Sequence, residues 1–209
     1  MRVGVIDYEA GNLQSISRAL RAAGAEAVLI DRPPAKGEYT ALVLPGVGAY
    51  AAAMRWLVAT GLAEWIRTQV ELGTPLVGVC LGMQLLYEGS EEGGEVRGFG
   101  LLPGSVRRLP GNVKVPHMGW NQLFIRRASP LVDGVAAGTH VYFVHSYAAI
   151  PGDAADVVAV TSYGMEVPAI VQRGRLIGLQ FHPEKSGAAG ERLLRNVLRS
   201  VAAASGFGS

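Results

Sequence analysis

Short, wholly apolar runs alternate with helically spaced ones along the segment that leads to Cys80. Residues 3–6 read as a buried strand; after the turn Glu9-Ala10-Gly11-Asn12, the residues Leu13, Ile16, Ala19 and Leu20 recur at helical spacing. Residues 27–30 form the next expected strand, broken by Asp31-Arg32-Pro33-Pro34. Residues 41–44 form another, ending in Pro45-Gly46-Val47-Gly48. A long helix is predicted over 50–72 with an interruption at Gly61, and a strand over 75–79 delivers Cys80. Residues 83–87 then carry a helical pattern. Apolar strands alternating with helices predict a parallel sheet covered on both faces.

The pattern changes after Tyr87. Residues 89–100 are dominated by glycine and glutamate, as in a surface loop. Strands are predicted over 106–109, 122–126, 141–147, 157–161, 169–172 and 176–181, with a closing helix over 191–203. Turns such as Gln172-Arg173-Gly174-Arg175 predict antiparallel hairpins. There is no internal repeat and no low-complexity linker. The expectation is a single α/β domain over 1–209, flavodoxin-like, with a mostly parallel central sheet, helices on both faces and an antiparallel extension.

Composition narrows this picture. The chain has 209 residues, 49% hydrophobic and 17% charged, which is enough for a sizeable core and excludes disorder. No apolar run reaches membrane-span length, and the N-terminus enters a strand without a signal-peptide layout. One cysteine permits no intrachain disulfide and no sulfur-rich metal cluster. A cytoplasmic protein without membrane association is expected. Net charge is only +2, with 16 Arg against 3 Lys and no dense basic stripe, so no nucleic-acid partner is expected.

Chemistry concentrates at Cys80, in Gly78-Val79-Cys80-Leu81-Gly82 between the expected strand and helix. A nucleophile on such a sharp turn needs small neighbours, and a helix N-terminus favours thiolate over thiol. A lone cysteine in an apolar stretch also reads as a small buried hydrophobe. A catalytic cysteine needs a base, and the base an orienting group. Of His117, His140, His145 and His182, only His182 has a carboxylate fixed beside it, in Gln180-Phe181-His182-Pro183-Glu184. Pro183 biases His182 to extended geometry, where residues i and i+2 point to the same side. The same five residues also read as a strand-end turn held by local hydrogen bonds. Backbone N–H groups for a developing oxyanion would come from Leu81 and from the Pro45-Gly46-Val47-Gly48 loop.

Together, Pro45-Gly46-Val47-Gly48, Gly78-Val79-Cys80-Leu81-Gly82-Met83-Gln84 and Phe181-His182-Pro183-Glu184 resemble the class I (triad-type) glutamine amidotransferase family. Gly11-Asn12-Leu13, Pro116-His117-Met118-Gly119-Trp120-Asn121, Tyr142-Phe143-Val144-His145-Ser146-Tyr147 and Lys185 are similar to its imidazole glycerol phosphate synthase branch. Glu9 departs from the small residue expected there. The resemblance implies that Cys80 is the nucleophile, His182 the base and Glu184 its orienter. It implies oxyanion donors at Val47, Gly48 and Leu81, and L-glutamine contacts at Gln84, Ser146 and Tyr147; ordinary strand packing explains the last two equally well. His140 and His145 read as structural. No metal or organic cofactor is implied. The implied partner is a (β/α)₈-barrel cyclase subunit forming a heterodimer, contacted by Asn12, Arg18, Trp120, Tyr142 and Lys185, although Trp120 also reads as a core residue. Rival readings are another amidotransferase of the class, a non-catalytic nucleotide- or flavin-binding module, and a stand-alone thiol hydrolase.

Overall fold

A computed structural model describes residues 1–8, 11–35 and 37–204. Glu9 and Ala10 of the first turn lie outside the described residues. In chain order the elements are β1 (Arg2–Ile6), α1 (Leu13–Ala22), β2 (Glu26–Ile30), β3 (Ala41–Leu44), α2 (Tyr50–Ala59), α3 (Leu62–Glu71), β4 (Leu76–Val79) and α4 (Leu81–Leu85). There follow β5 (Tyr87–Ser90), β6 (Val96–Arg97), β7 (Leu102–Arg108), β8 (His117–Gln122), β9 (Phe124–Ile125), β10 (His140–His145), β11 (Tyr147–Pro151), β12 (Val157–Ser162), β13 (Glu166–Arg173), β14 (Leu176–Leu179) and α5 (Gly187–Ala204).

Eight strands form the main sheet in the order β2-β1-β3-β4-β14-β13-β12-β9. The pairings from β2 through to β14 are parallel, and those from β14 outwards are antiparallel. The expected parallel centre with an antiparallel extension is therefore present. Alternation along the buried strands divides the core. Val3, Val5, Ala41, Val43, Val77 and Val79 pack with Ile16 and Leu20 of α1 and Leu193, Leu194 and Val197 of α5. Ile6, Leu42, Leu44 and Leu76 pack on the other face with Tyr50, Met54 and Leu57 of α2 and Leu62 and Ile66 of α3. Both faces are covered because successive strand residues point to opposite sides.

Several boundaries differ from expectation. One feature does not: the interruption expected at Gly61 is present, because Gly61 adopts φ 77°, a left-handed conformation that ends α2 at Ala59 before α3 starts at Leu62. The helix after Cys80 is only five residues long, and Tyr87, expected at its end, begins a strand instead. The glycine- and glutamate-rich stretch, expected as a surface loop, holds the end of β5 and all of β6, which join β7 and β11 in a four-stranded sheet. The expected strand over 141–147 is broken at Ser146, where β10 pairs with β8 and β11 pairs with β7. The Pro116 to Asn121 motif largely lies on β8, which the apolar pattern did not reveal because alternate residues of this strand are exposed.

Candidate active site

Cys80 sits between β4 and α4 at φ 54° and ψ −109°, the only non-glycine positive φ among the described residues. Such a conformation costs on the order of 1–3 kcal/mol and persists only where its surroundings enforce it. The enforcement is visible in the flanking glycines. A Cβ on Gly78 would lie 2.6 Å from the Gly82 carbonyl oxygen, and one on Gly82 would lie 1.7 Å from that of Leu44. The chain thus turns back tightly on the strand ends, and both glycines are sterically obligatory. With α4 little more than one turn long, the expected helix-dipole effect on the thiol is confined to a few peptide units.

His182 follows β14, next to β4 in the sheet, so the parallel pairing of these strands places it beside Cys80's turn. It is extended (φ −95°, ψ 96°), as a residue before proline should be. Beyond it the expected extended segment gives way to a 3₁₀ turn, Pro183–Lys185. Nδ1 of His182 bonds Oε1 of Glu184 at 2.8 Å, with both side chains buried. The carboxylate fixes the tautomer with the proton on Nδ1 in the neutral ring and leaves Nε2, buried and without a protein hydrogen bond, for proton exchange. Burial pulls the His182 pKa down, but the charge of Cys80 and the hydrogen bond and charge of Glu184 outweigh it, raising it to about 9. For Glu184 burial acts upwards, and the bonds from His182 and Asn12 reverse this, holding it below the usual carboxylate value. Asn12, expected on a partner-facing surface, has its side chain turned inward: it is buried, and its Nδ2 donates to Glu184 Oε1 at 3.0 Å.

The loop after β3 runs beside the nucleophile turn. Leu81 N–H, expected to be free for an oxyanion, donates to the Gly46 carbonyl at 3.4 Å in this conformation. Tyr8 O–H donates to the Pro45 carbonyl at 2.5 Å. It also packs so closely on Gly46 that a Cβ there would overlap the hydroxyl. Burial, and secondarily the charge of Cys80, push the Tyr8 phenol far above its ordinary range, so it stays a neutral donor. Val47 and Gly48 are exposed, and Gly48 has φ 108°.

Gln84, expected to contact substrate, is buried and spends both protons of its amide within the protein. Its Nε2 donates to the Tyr147 carbonyl at 2.8 Å and to Gln180 Oε1 at 3.0 Å. Ser146 and Tyr147 are half-buried. The Tyr147 carbonyl also faces His145 Nδ1 at 2.8 Å, His145 Nε2 faces His117 Nδ1 at 2.9 Å, and His117 Nε2 faces Asn121 Nδ2 at 3.2 Å. Burial depresses both imidazoles, His145 to about 3 and His117 to about 4, so both are neutral. Gln180, assigned no role from the sequence, is fully buried beside Cys80. Its signal was present: it stands two residues before His182, where strand periodicity places side chains on one side.

The remaining expected residues lie at the surface. Trp120 on β8 is 56% exposed and meets Tyr142 of β10 edge to face at 6.1 Å, excluding its core reading. Lys185 Nζ lies 5.8 Å from the centre of the Tyr142 ring, and Arg18 is exposed on α1. The His182 N–H donates to the Tyr142 carbonyl at 2.8 Å, so this aromatic patch adjoins the triad. Among the described residues no group of three His, Cys, Asp or Glu side chains could hold a metal. A cavity of about 730 Å³ lined by Arg192, Arg195 and Arg199 of α5 shares no residue with the cluster around Cys80.

The family model for class I glutamine amidotransferases matches residues 4–201. An imidazole glycerol phosphate synthase subunit HisH from Geobacillus kaustophilus is 53% identical, aligned over 93% of this chain and 94% of its own. A subunit of the same name from Aquifex aeolicus is 46% identical over 96% of this chain and 98% of its own. Among solved structures, PurLQS from Thermotoga maritima matches with TM-score 0.76 and 22% identity, covering 95% of this chain and 97% of that one. At that identity the likeness is one of fold.

Proposed function

Because the chain belongs to the class I glutamine amidotransferase family, and to the branch of the imidazole glycerol phosphate synthase subunits, we propose that Cys80, His182 and Glu184 form its glutaminase triad. The observation that carries this reading is the enforced turn at Cys80 beside a buried His182–Glu184 pair. His182 takes the thiol proton as the sulfur attacks the side-chain amide carbon of L-glutamine. It passes that proton to the departing ammonia, leaving a glutamyl thioester on Cys80. It then removes a proton from water, which attacks the thioester and releases glutamate and the thiol. The upward pull of Cys80 and Glu184 on His182 favours the imidazolium, so a proton taken from the thiol is held on the ring until nitrogen leaves.

The ammonia passes to a (β/α)₈-barrel cyclase subunit in a heterodimer, where it enters imidazole glycerol phosphate and an aminoimidazole carboxamide ribotide. The names of the close relatives support a partner subunit. The exposed Trp120, with Tyr142, Lys185 and Arg18, supplies the docking face, and aromatic side chains suit an interface centre. Free ammonia would protonate in water and lose its nucleophilicity, so docking at the mouth of the site protects the product. The family match along residues 4–201 supports one amidotransferase domain, which we place in the cytoplasm; no described helix is long and apolar enough to cross a membrane.

The bond from Leu81 N–H to the Gly46 carbonyl supports a resting state in which this oxyanion donor is occupied. A flip of the Gly46-Val47-Gly48 peptides on partner binding would release it and turn donors of this loop inward, and glycines permit both conformations. Glutamate release is to be assayed with and without the cyclase subunit and its nucleotide ligand. Hydrolysis is expected to rise strongly in the liganded complex and to vanish in Cys80→Ala. Activity surviving in Cys80→Ala refutes the triad, and equal rates for the isolated chain and the complex refute the loop switch.

A further inference from the structure

We infer that Gln180 is a positioning residue for the Cys80 sulfur: its side-chain amide is a fixed N–H donor that stabilises negative charge on sulfur as the thioester forms and breaks. Gln180 is fully buried, and its Nε2 lies 3.8 Å from Cys80 Sγ. On another side, Sγ lies 3.7 Å from the Val144 carbonyl, which can accept the proton of the thiol form. The sulfur therefore sits between an acceptor that suits the thiol and a donor that suits the thiolate.

The orientation of the Gln180 amide follows from the network behind it. The main-chain carbonyl of Tyr147 can only accept, so the atom of Gln84 that meets it at 2.8 Å is the amide nitrogen. That nitrogen's second proton needs an acceptor, and Gln180 Oε1 supplies it at 3.0 Å. Oxygen towards Gln84 leaves nitrogen towards Cys80. The same carbonyl also requires the proton of His145 on Nδ1, so its Nε2 accepts from His117 Nδ1–H, and His117 Nε2 accepts from Asn121. One proton arrangement satisfies the whole chain of groups from β8 to the nucleophile. A buried donor held in this way costs no reorganisation when charge develops.

The inference rests on Cys80 being the nucleophile, and alkylation reads the sulfur directly without glutamine turnover. Cys80 is the only cysteine, so a single mass adduct with iodoacetamide reports on it alone. The titratable groups that interact with the sulfur are Tyr8 and His182, with Glu184 and His145 acting on His182. Alkylation is to be followed against pH in the full chain, in Gln180→Met, which keeps length and loses the amide, and in Gln180→Glu, which keeps the acceptor for Gln84 and loses the donor. Both variants are expected to react about tenfold more slowly at pH 7, with the pH profile moved to the alkaline side by about one unit. A role in packing alone would lower the plateau without moving the midpoint, and an unmoved midpoint in a variant with native near-ultraviolet circular dichroism overturns the inference. A second measurement uses the native side chain. The ¹H–¹⁵N resonances of the Gln180 amide should shift with the same pH midpoint as alkylation, and should cease to do so in Cys80→Ala. Amide resonances that ignore the sulfur overturn it whether or not the variants fold.

Discussion

At Glu184 one carboxylate oxygen is shared between His182 Nδ1 and Asn12 Nδ2, with all three side chains buried. The imidazole is thus oriented by a group that is itself oriented, and removing the negative charge should damage chemistry far more than structure. Glu184→Gln is expected to lower the rate of glutamine hydrolysis in the complex by about 10²–10⁴-fold, while thermal unfolding stays close to that of the parent protein. Steady-state assays that show less than a threefold loss would remove Glu184 from the triad. This part of the site was readable beforehand, because His182, Pro183 and Glu184 are neighbours and the proline restricts its predecessor. The contribution of Asn12 was not readable. It stands at the start of α1, and only the packing of α1 beside the 3₁₀ turn brings its side chain to Glu184.

The turn from β4 into α4 shows how an element can be dictated by what it must not touch. Gly82 passes so close to the Leu44 carbonyl that any side chain there must push β3 and α4 apart. Gly82→Ala is expected to destabilise the fold by about 3 kcal/mol, at the upper end of overpacking costs because the obstacle is backbone rather than a mobile side chain. Urea unfolding gives the value directly, and a loss below about 0.5 kcal/mol would mean that the turn can relax. The glycines around Cys80 were visible in the sequence, and so was the break at Gly61. The shortness of α4 was not. Residues 83–87 have a helical pattern, yet buried Tyr87 is drawn into pairing with Leu102 across β5 and β7, and tertiary hydrogen bonding overrides local spacing.

For the whole molecule, the neutral pair His117–His145 couples stability to pH. Both imidazoles have folded pKa values, about 4 and about 3, below the value near 6.5 they take when unfolded. Between pH 6.5 and these values the unfolded chain binds more protons than the native one, so stability falls as pH falls. The slope approaches about 1.4 kcal/mol per pH unit for each group. His182 acts in the opposite sense: its raised pKa contributes stability that is full below pH 6.5 and is lost as pH rises through about 9. Urea midpoints measured across this range should therefore peak near pH 6.5. Replacing His145 with glutamine should flatten the acid limb, and an acid limb of unchanged steepness would show that the histidine pair does not govern it.

What the sequence determined by itself is the set of local constraints: apolar strands with two-sided alternation, glycines where a sharp turn excludes Cβ atoms, and a proline that restricts His182. These act within a few residues and survive reading the chain in one dimension. The tertiary structure decided everything that depends on separate segments meeting. It turned Asn12 inward to Glu184, closed Leu81 N–H onto the Gly46 carbonyl, and set Gln180 between Gln84 and the sulfur of Cys80. Buried polar groups must find partners wherever the fold supplies them, and that accounting is made between strands far apart in the chain, where no local spacing can anticipate it.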